Sequence, residues 1–200
     1  MCGVGTTPVL IRLSPVGSIP TFTTTSYRDY MLKTVYAPNR VLHDSNSTTA
    51  NVFLAGSIDL GAADNWQPRV TEIIEAYDET GFIYNPRRLD FQADALQVIE
   101  NDYFREQVEW ELDHISIADI VFMYLDPKSK SPVSLLELGY VSKTDKLIVC
   151  CPIGFWRKGN VEIVCSREGI PFFDKLENAL AFLKDRIATV STEKKRLIAR

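Results

Sequence analysis

Five short apolar runs constrain this chain more than any other feature: NVFLAG (51–56), FIYNP (82–86), DIVFMYL (119–125), KLIVCC (146–151) and IPFF (170–173). Each is shorter than a buried helix, and the longer ones lack the polar alternation of a strand with one wet face. Runs of this kind are strands covered on both faces. Helical patterns stand between them. Asp64 or Asn65 is placed to cap a helix carrying Val70, Ile73, Ile74 and Tyr77 on one face, and Gly81 stops it. Residues 97–117 read as a long helix with Phe104, Val108, Leu112 and Ile115 inward. Ser-Pro opens a helix over 131–144, a shorter one covers 160–168 and stops at Gly169, and Asp174 with Glu177 forms a capping signature. Leu176, Leu180, Leu183 and Ile187 then make the stripe of the last helix. This alternation predicts an α/β fold with a five-stranded, mostly parallel sheet between two helical layers. In such sheets ligands bind beyond the carboxyl ends of the strands. The segments 56–65, 85–90 and 126–137 are therefore where chemistry belongs.

Composition narrows the partners. The chain has 200 residues, with 22 Lys+Arg against 26 Asp+Glu, a formal net charge of −4. That balance disfavours binding a nucleic-acid polymer by charge, while leaving a single nucleoside or nucleotide open as a ligand. No apolar run approaches the ~18 residues that span a bilayer. Cys2, Cys150, Cys151 and Cys165 form no CxxC pair, which fits a reduced, cytoplasmic protein with buried structural thiols. With only His43 and His114, no metal site and no cofactor are expected. Residues 1–32 contain Pro8, Pro15 and Pro20 and are acid-free up to Arg28; they read as a loosely ordered arm, a transit peptide being the alternative, ahead of one domain over 33–200. HDSNSTTA (43–50) reads as a polar surface loop, and EKKRLIAR (193–200) as a solvated helix end.

Gly56 and Gly61 follow the first run, but neither GxGxxG nor GxxxxGK[ST] is present, so a dinucleotide or triphosphate cradle has no support. There is no GxSxG elbow, and His114 reads as a partly buried helix residue rather than a catalyst. Carboxylates remain. Glu137 lies in SLLELGY, where its neighbours leave little polar face; burying an acid there is costly unless it is paired or used. Glu111 lies in VEWELDH, beside Trp110. Two carboxylates converging on one pocket suit glycosidic chemistry. Pattern alone does not pair them.

VFLAGSID (52–59), YNPRRLDF (84–91), EQVEWELDHISIADIVFMYLDP (106–127), SPVSLLELGY (131–140) and KGNVEIVC (158–165) closely resemble the nucleoside 2-deoxyribosyltransferase-like family, over roughly residues 33–187. The resemblance implies a flavodoxin-like three-layer sandwich that cleaves the N-glycosidic bond of a 2'-deoxynucleoside, with retention, through a glycosyl-enzyme ester. By that resemblance Glu137 matches the nucleophile and Glu111 the base-side acid. Phe53 and Gly56 match positions that line the sugar pocket, and Asn160 matches an asparagine that in related enzymes reaches a neighbouring subunit's sugar, which implies a homodimer or a larger homo-oligomer; Ser57, Asn85, Arg87, Asp90 and Ser131, in the segments that follow the strands, are the further substrate-binding candidates.

One departure matters. Studied transferases carry an acid six residues before the nucleophile, where this chain has Ser131. A hydroxyl tolerates a phosphorylated substrate that an acid would repel. Arg87 and Arg88 are candidates for the positive charge, or else a surface pair answering Asp90. Phe53, Trp66 and Phe91 are candidates for stacking on the base, with core packing as the other reading of each. Three functions stay open at this point: transfer of the sugar to a second nucleobase, hydrolysis of a nucleoside or nucleoside 5'-monophosphate, and a non-catalytic nucleotide-binding module.

Overall fold

The computed structural model describes residues 33–41, 46–58, 63–90, 92 and 94–200. The expected arm (1–32) and Phe91 lie outside the described residues. Within these, strands and helices alternate as β1 (Thr34–Tyr36), β2 (Ala50–Gly56), α1 (Gln67–Glu75), β3 (Thr80–Asn85), α2 (Asp102–Ile117), β4 (Ile120–Tyr124), α3 (Pro132–Val141), β5 (Leu147–Cys150), α4 (Lys158–Glu168), β6 (Phe172–Phe173) and α5 (Leu176–Ile198). The sheet has six strands in the order β1-β3-β2-β4-β5-β6, and every pairing is parallel. The expected five strands are thus corrected to six. Five of them, in the order β3-β2-β4-β5-β6, reproduce the flavodoxin-like arrangement, and β1 adds an edge beside β3, pairing Tyr36 with Asn85.

Period-2 geometry turns the unbroken apolar runs into two cores. Val52, Leu54, Ile83, Ile120, Phe122 and Ile148 face α1 and α5, meeting Val70, Ile74, Leu180, Leu183 and Ile187. Phe53, Tyr84, Val121, Met123 and Val149 face the other layer, meeting Trp110, Leu138, Val161 and Cys165. Burying each large side chain contributes about 1.5–3 kcal/mol, and Phe122, wholly buried in the sheet centre, is one whose truncation to Ala would cost about 3–5 kcal/mol. The thiols of Cys150, Cys151 and Cys165 are all buried, which pushes their pKa values up to about 12, 12 and 11.

Several helix starts differ from expectation. α2 begins at Asp102 rather than 97, because the Asn101 side chain accepts from the amides of Tyr103 and Phe104 at 3.1 and 3.3 Å and caps it there. Its inward residues are Trp110, His114 and Ile115, and Leu112, expected inside, is exposed. The large indole takes the core-facing position and sets the helix rotation. Neither Asp64 nor Asn65 caps α1; Trp66 occupies that position without a side-chain cap, while the Asp64 carboxylate pairs with Lys128 at 2.9 Å. Asp174 does not cap α5 either; it pairs with Lys158 at 2.8 Å, and Lys175 stands at the cap position. α3 starts at Pro132 as expected but ends at Val141, and α4 stops before Gly169, whose φ of 70° is the left-handed turn glycine adopts without strain.

Candidate active site

The connections leaving β2 and β4 run to opposite layers, so a crevice opens between the carboxyl ends of these neighbouring strands. Gly56 ends β2 opposite Tyr124. Its φ is +129°, and a Cβ there would overlap the Tyr124 backbone, so no other residue fits. The next residue, Ser57, is fully buried, and its amide donates to the Tyr124 carbonyl at 2.9 Å. Ser57 Oγ accepts from the Asp126 amide at 2.8 Å and shares a hydrogen bond with Ser131 Oγ at 2.5 Å, which in turn is 2.5 Å from Ser129 Oγ. Ser131 has a φ of 47° immediately before the first residue of α3. A non-glycine residue there is strained by about 1–3 kcal/mol; the hydroxyl bonds and Pro132 hold it.

Glu137 lies one and a half turns into α3. The buried positions of that helix are Ser134, Glu137, Leu138 and Val141, while Val133, Leu136 and Tyr140 are exposed. The helix therefore turns its acid inward and three apolar residues outward, the reverse of what solvation favours. Only 9% of Glu137 is exposed. Burial, with the Glu111 carboxylate adding to it, pushes its pKa up to about 8. Glu111 comes from α2, and burial pushes its pKa up to about 7 against the opposing effect of a hydrogen bond from Gln107. That bond runs from Gln107 Nε2 to Glu111 Oε1 at 2.8 Å, and the same nitrogen donates to the Pro86 carbonyl at 2.8 Å. Glu111 is thus near enough for its charge to bear on Glu137, and it is tied through Gln107 to the end of β3.

The wall behind Glu111 is aromatic. Trp110 is fully buried, donates to the Asn39 carbonyl at 2.7 Å and stacks on His114 with ring centroids 3.9 Å apart. His114 Nδ1 donates to the Trp110 carbonyl at 2.7 Å, and burial lowers the imidazole pKa, so the ring is a neutral core group, as the sequence suggested. Phe53 packs on Trp110 at 6.3 Å with no exposed surface. Trp66 donates to the Ser57 carbonyl at 2.9 Å and packs on Tyr124, which commits its ring to the structure.

The two arginines have different environments. Arg88 donates from Nε and Nη2 to the Asp90 carboxylate at 2.9 and 3.1 Å, from Nη1 to Glu106 at 2.9 Å, and lies 4.1 Å from the centre of the Tyr103 ring. Arg88 therefore answers Asp90, which is exposed, and holds its carboxyl below the usual range. Arg87 makes no such pair: its Nε and Nη2 are buried with no hydrogen-bond partner. Asn85, buried at the end of β3, accepts from the Arg87 amide at 3.1 Å. Asn160 is exposed in the first turn of α4. Gln107 escaped the sequence reading; its only signal was its place four residues before Glu111 on one helix face. A hollow of about 300 Å³ lined by Ile115, Ser116, Tyr140, Val141, Thr144 and Lys146 lies at the opposite, amino-terminal edge of the strands, away from this chemistry.

Among the described residues, no cluster of three His, Cys, Asp or Glu is placed to hold a metal ion, and no helix is long and apolar enough to cross a membrane. No curated protein matches the chain. The family model described as nucleoside 2-deoxyribosyltransferase like matches residues 49–155, the stretch that runs from the start of β2 through α3 and β5 and contains both glutamates. With more than half of its length matched and the flavodoxin-like sheet in place, the chain belongs to the nucleoside 2-deoxyribosyltransferase-like family.

Proposed function

We propose that this site cleaves the N-glycosidic bond of a (2'-deoxy)nucleoside or its nucleotide and transfers the sugar to another nucleobase, with Glu137 as nucleophile and Glu111 as proton donor. The observation that carries this reading is Glu137, turned inward on an otherwise apolar helix with the half-buried Glu111 near enough for its charge to bear on it; burial pushes the two pKa values up to about 8 and about 7. Between those values the pair holds one proton, which in the free site rests on Glu137, so binding of the substrate has to move it to Glu111. A carboxylate and a carboxylic acid side by side are what a two-step displacement at C1' requires.

In the first step a Glu137 oxygen bonds to C1' as the bond from C1' to the base nitrogen breaks. Glu111 gives its proton to the departing base, which leaves as a neutral heterocycle. Positive charge developing at the sugar favours the ionised form of Glu137, and the basic ring nitrogen draws the proton to Glu111. In the second step a nitrogen of the incoming base attacks C1', the ester bond breaks to restore the Glu137 carboxylate, and the base's proton passes to Glu111. If water takes the place of the incoming base, the same site is a hydrolase. The buried serines at 57, 129 and 131 supply hydroxyls beside the start of α3, suited to positioning sugar oxygens. Asn160, exposed on α4, is where a second copy would complete the pocket, so the working form is a homo-oligomer.

The test is incubation of the full chain with a 2'-deoxynucleoside, or its 5'-monophosphate, and a second free base. Exchange of bases and a glycosyl adduct on the peptide bearing Glu137 are the expected results. Free sugar with no exchange would mean hydrolysis. Turnover undiminished in Glu137→Ala would remove the mechanism.

A further inference from the structure

Arg87 and Arg88 carry the same side-on fork, Nε with Nη2, and the structure fills only one of them. In Arg88 these two nitrogens grip the two oxygens of Asp90. In Arg87 the same two nitrogens are buried, with no hydrogen-bond partner among the described residues. A guanidinium cannot escape that situation by losing its proton. Each unsatisfied buried donor costs about 1–3 kcal/mol, and more when charged. Nor is Arg87 the only orphan here. Tyr84 Oη on β3 and Gln107 Oε1 on the facing turn of α2 are also buried without partners. All three side chains lie around the carboxyl end of β3, where the Pro86 carbonyl, next to Arg87, is one Gln107 bridge away from Glu111. Buried polar groups left without partners call for an explanation, and at the mouth of this site a ligand group is the partner that would satisfy them.

We infer that Arg87 receives a two-oxygen anionic group of the substrate, a phosphate or a carboxylate, and that this site therefore prefers a nucleotide-type anion over a neutral nucleoside. The inference rests on the reading of Glu111 and Glu137 as a glycosidic site. Its chemistry follows from the fork: two parallel N–H donors match the paired oxygens of a carboxylate or phosphate, a match that a lysine ammonium lacks. It also follows from charge. The site already holds two acids, Glu111 and Glu137, and Arg87 is a cation whose Nε and Nη2 no carboxylate among the described residues answers. The acid can sit on the sugar as a 5'-phosphate or on the base as a carboxylate.

The test reads binding with turnover blocked. Calorimetry on the full chain carrying Glu137→Gln compares 2'-deoxyadenosine 5'-monophosphate with 2'-deoxyadenosine, and orotidine with uridine. One anionic ligand should bind at least about 30-fold tighter than its neutral counterpart, as two charge-assisted hydrogen bonds imply. Adding Arg87→Met should shrink the preference to within about 3-fold, and Arg87→Lys should keep only part of it. Whichever pair shows the Arg87-dependent preference locates the acid. Equal binding within both pairs, or a preference that survives Arg87→Met, overturns the inference. Folding provides a second check: Arg87→Met should melt at or above the parent chain, since it removes an unpaired buried charge, and a melting point several degrees lower would make Arg87 structural and defeat the proposal. Arg87-dependent anion binding in a chain that turns over no nucleoside or nucleotide would instead overturn the glycosidic reading and leave Arg87 as assigned.

Discussion

Gln107 Nε2 sits 2.8 Å from Glu111 Oε1 and 2.8 Å from the Pro86 carbonyl, so a single amide ties the acid of α2 to the end of β3. Both bonds use the amide nitrogen, which fixes the rotamer of Gln107 and presents a donor to Glu111. Donation to a carboxylate favours its ionised form. Gln107 is therefore a positioning residue that also holds down the pKa of Glu111 against the effect of burial. Replacing it with Leu removes that donor, and Glu111 should keep its proton to higher pH. The alkaline limb of the kcat/KM profile is expected to move upward, with a smaller change in KM for a neutral substrate. An unchanged profile would show that Gln107 does not act on the acid.

The two glutamates also set how stability depends on pH. In the unfolded chain both ionise near 4.5, whereas folded they hold their protons to about 7 and about 8. The folded state binds more protons through that interval, so stability is highest at its acid end and falls as pH rises from about 4.5 to 8. The loss attributable to the pair is on the order of a few kcal/mol. A chain carrying both Glu111→Gln and Glu137→Gln should melt higher than the parent at pH 8.5, and the gap should narrow toward pH 5. Thermal melts of both chains across that range are the measurement, and parallel curves would contradict it.

At Gly56 the prediction concerns the backbone. A methyl group there meets the Tyr124 backbone, and the φ of +129° is foreign to an L side chain. Gly56→Ala should therefore separate the ends of β2 and β4 and lower stability by about 2–4 kcal/mol. Urea unfolding should show a reduced midpoint. If the variant unfolds like the parent, the close approach of β2 to β4 is not required.

Arg88 is the paired counterpart of Arg87. Its side chain is 5% exposed and bonded to both Asp90 and Glu106. Arg88→Met should lose about 1–3 kcal/mol, since it removes three charge-assisted bonds and the contact with the Tyr103 ring. The expected readout is a lower melting temperature with substrate selectivity retained, the opposite of the Arg87 result.

The amino-acid order by itself determined the layered α/β fold, because apolar runs on both faces of the central strands can be buried only between two helical layers. It also marked Glu137, an acid among leucines, and Glu111 beside Trp110 as candidates, and the family resemblance supplied their pairing and roles. β1 was not legible: three residues, Thr34–Tyr36, are too few to express a period, and only the free edge of β3 makes them a strand. The cap at Asn101 and the inward turn of Trp110 depended on packing against the sheet, which no local pattern carries. The same holds for the arginines. Arg87 and Arg88 are chemically identical neighbours in the sequence; the local turn closes the Arg88 fork on Asp90, the placement of α2 adds Glu106 and the Tyr103 ring to the same side chain, and the Arg87 fork is left open. Side-chain type is written in the chain, but whether a charge is answered depends on which distant groups the fold brings within about 3 Å of it.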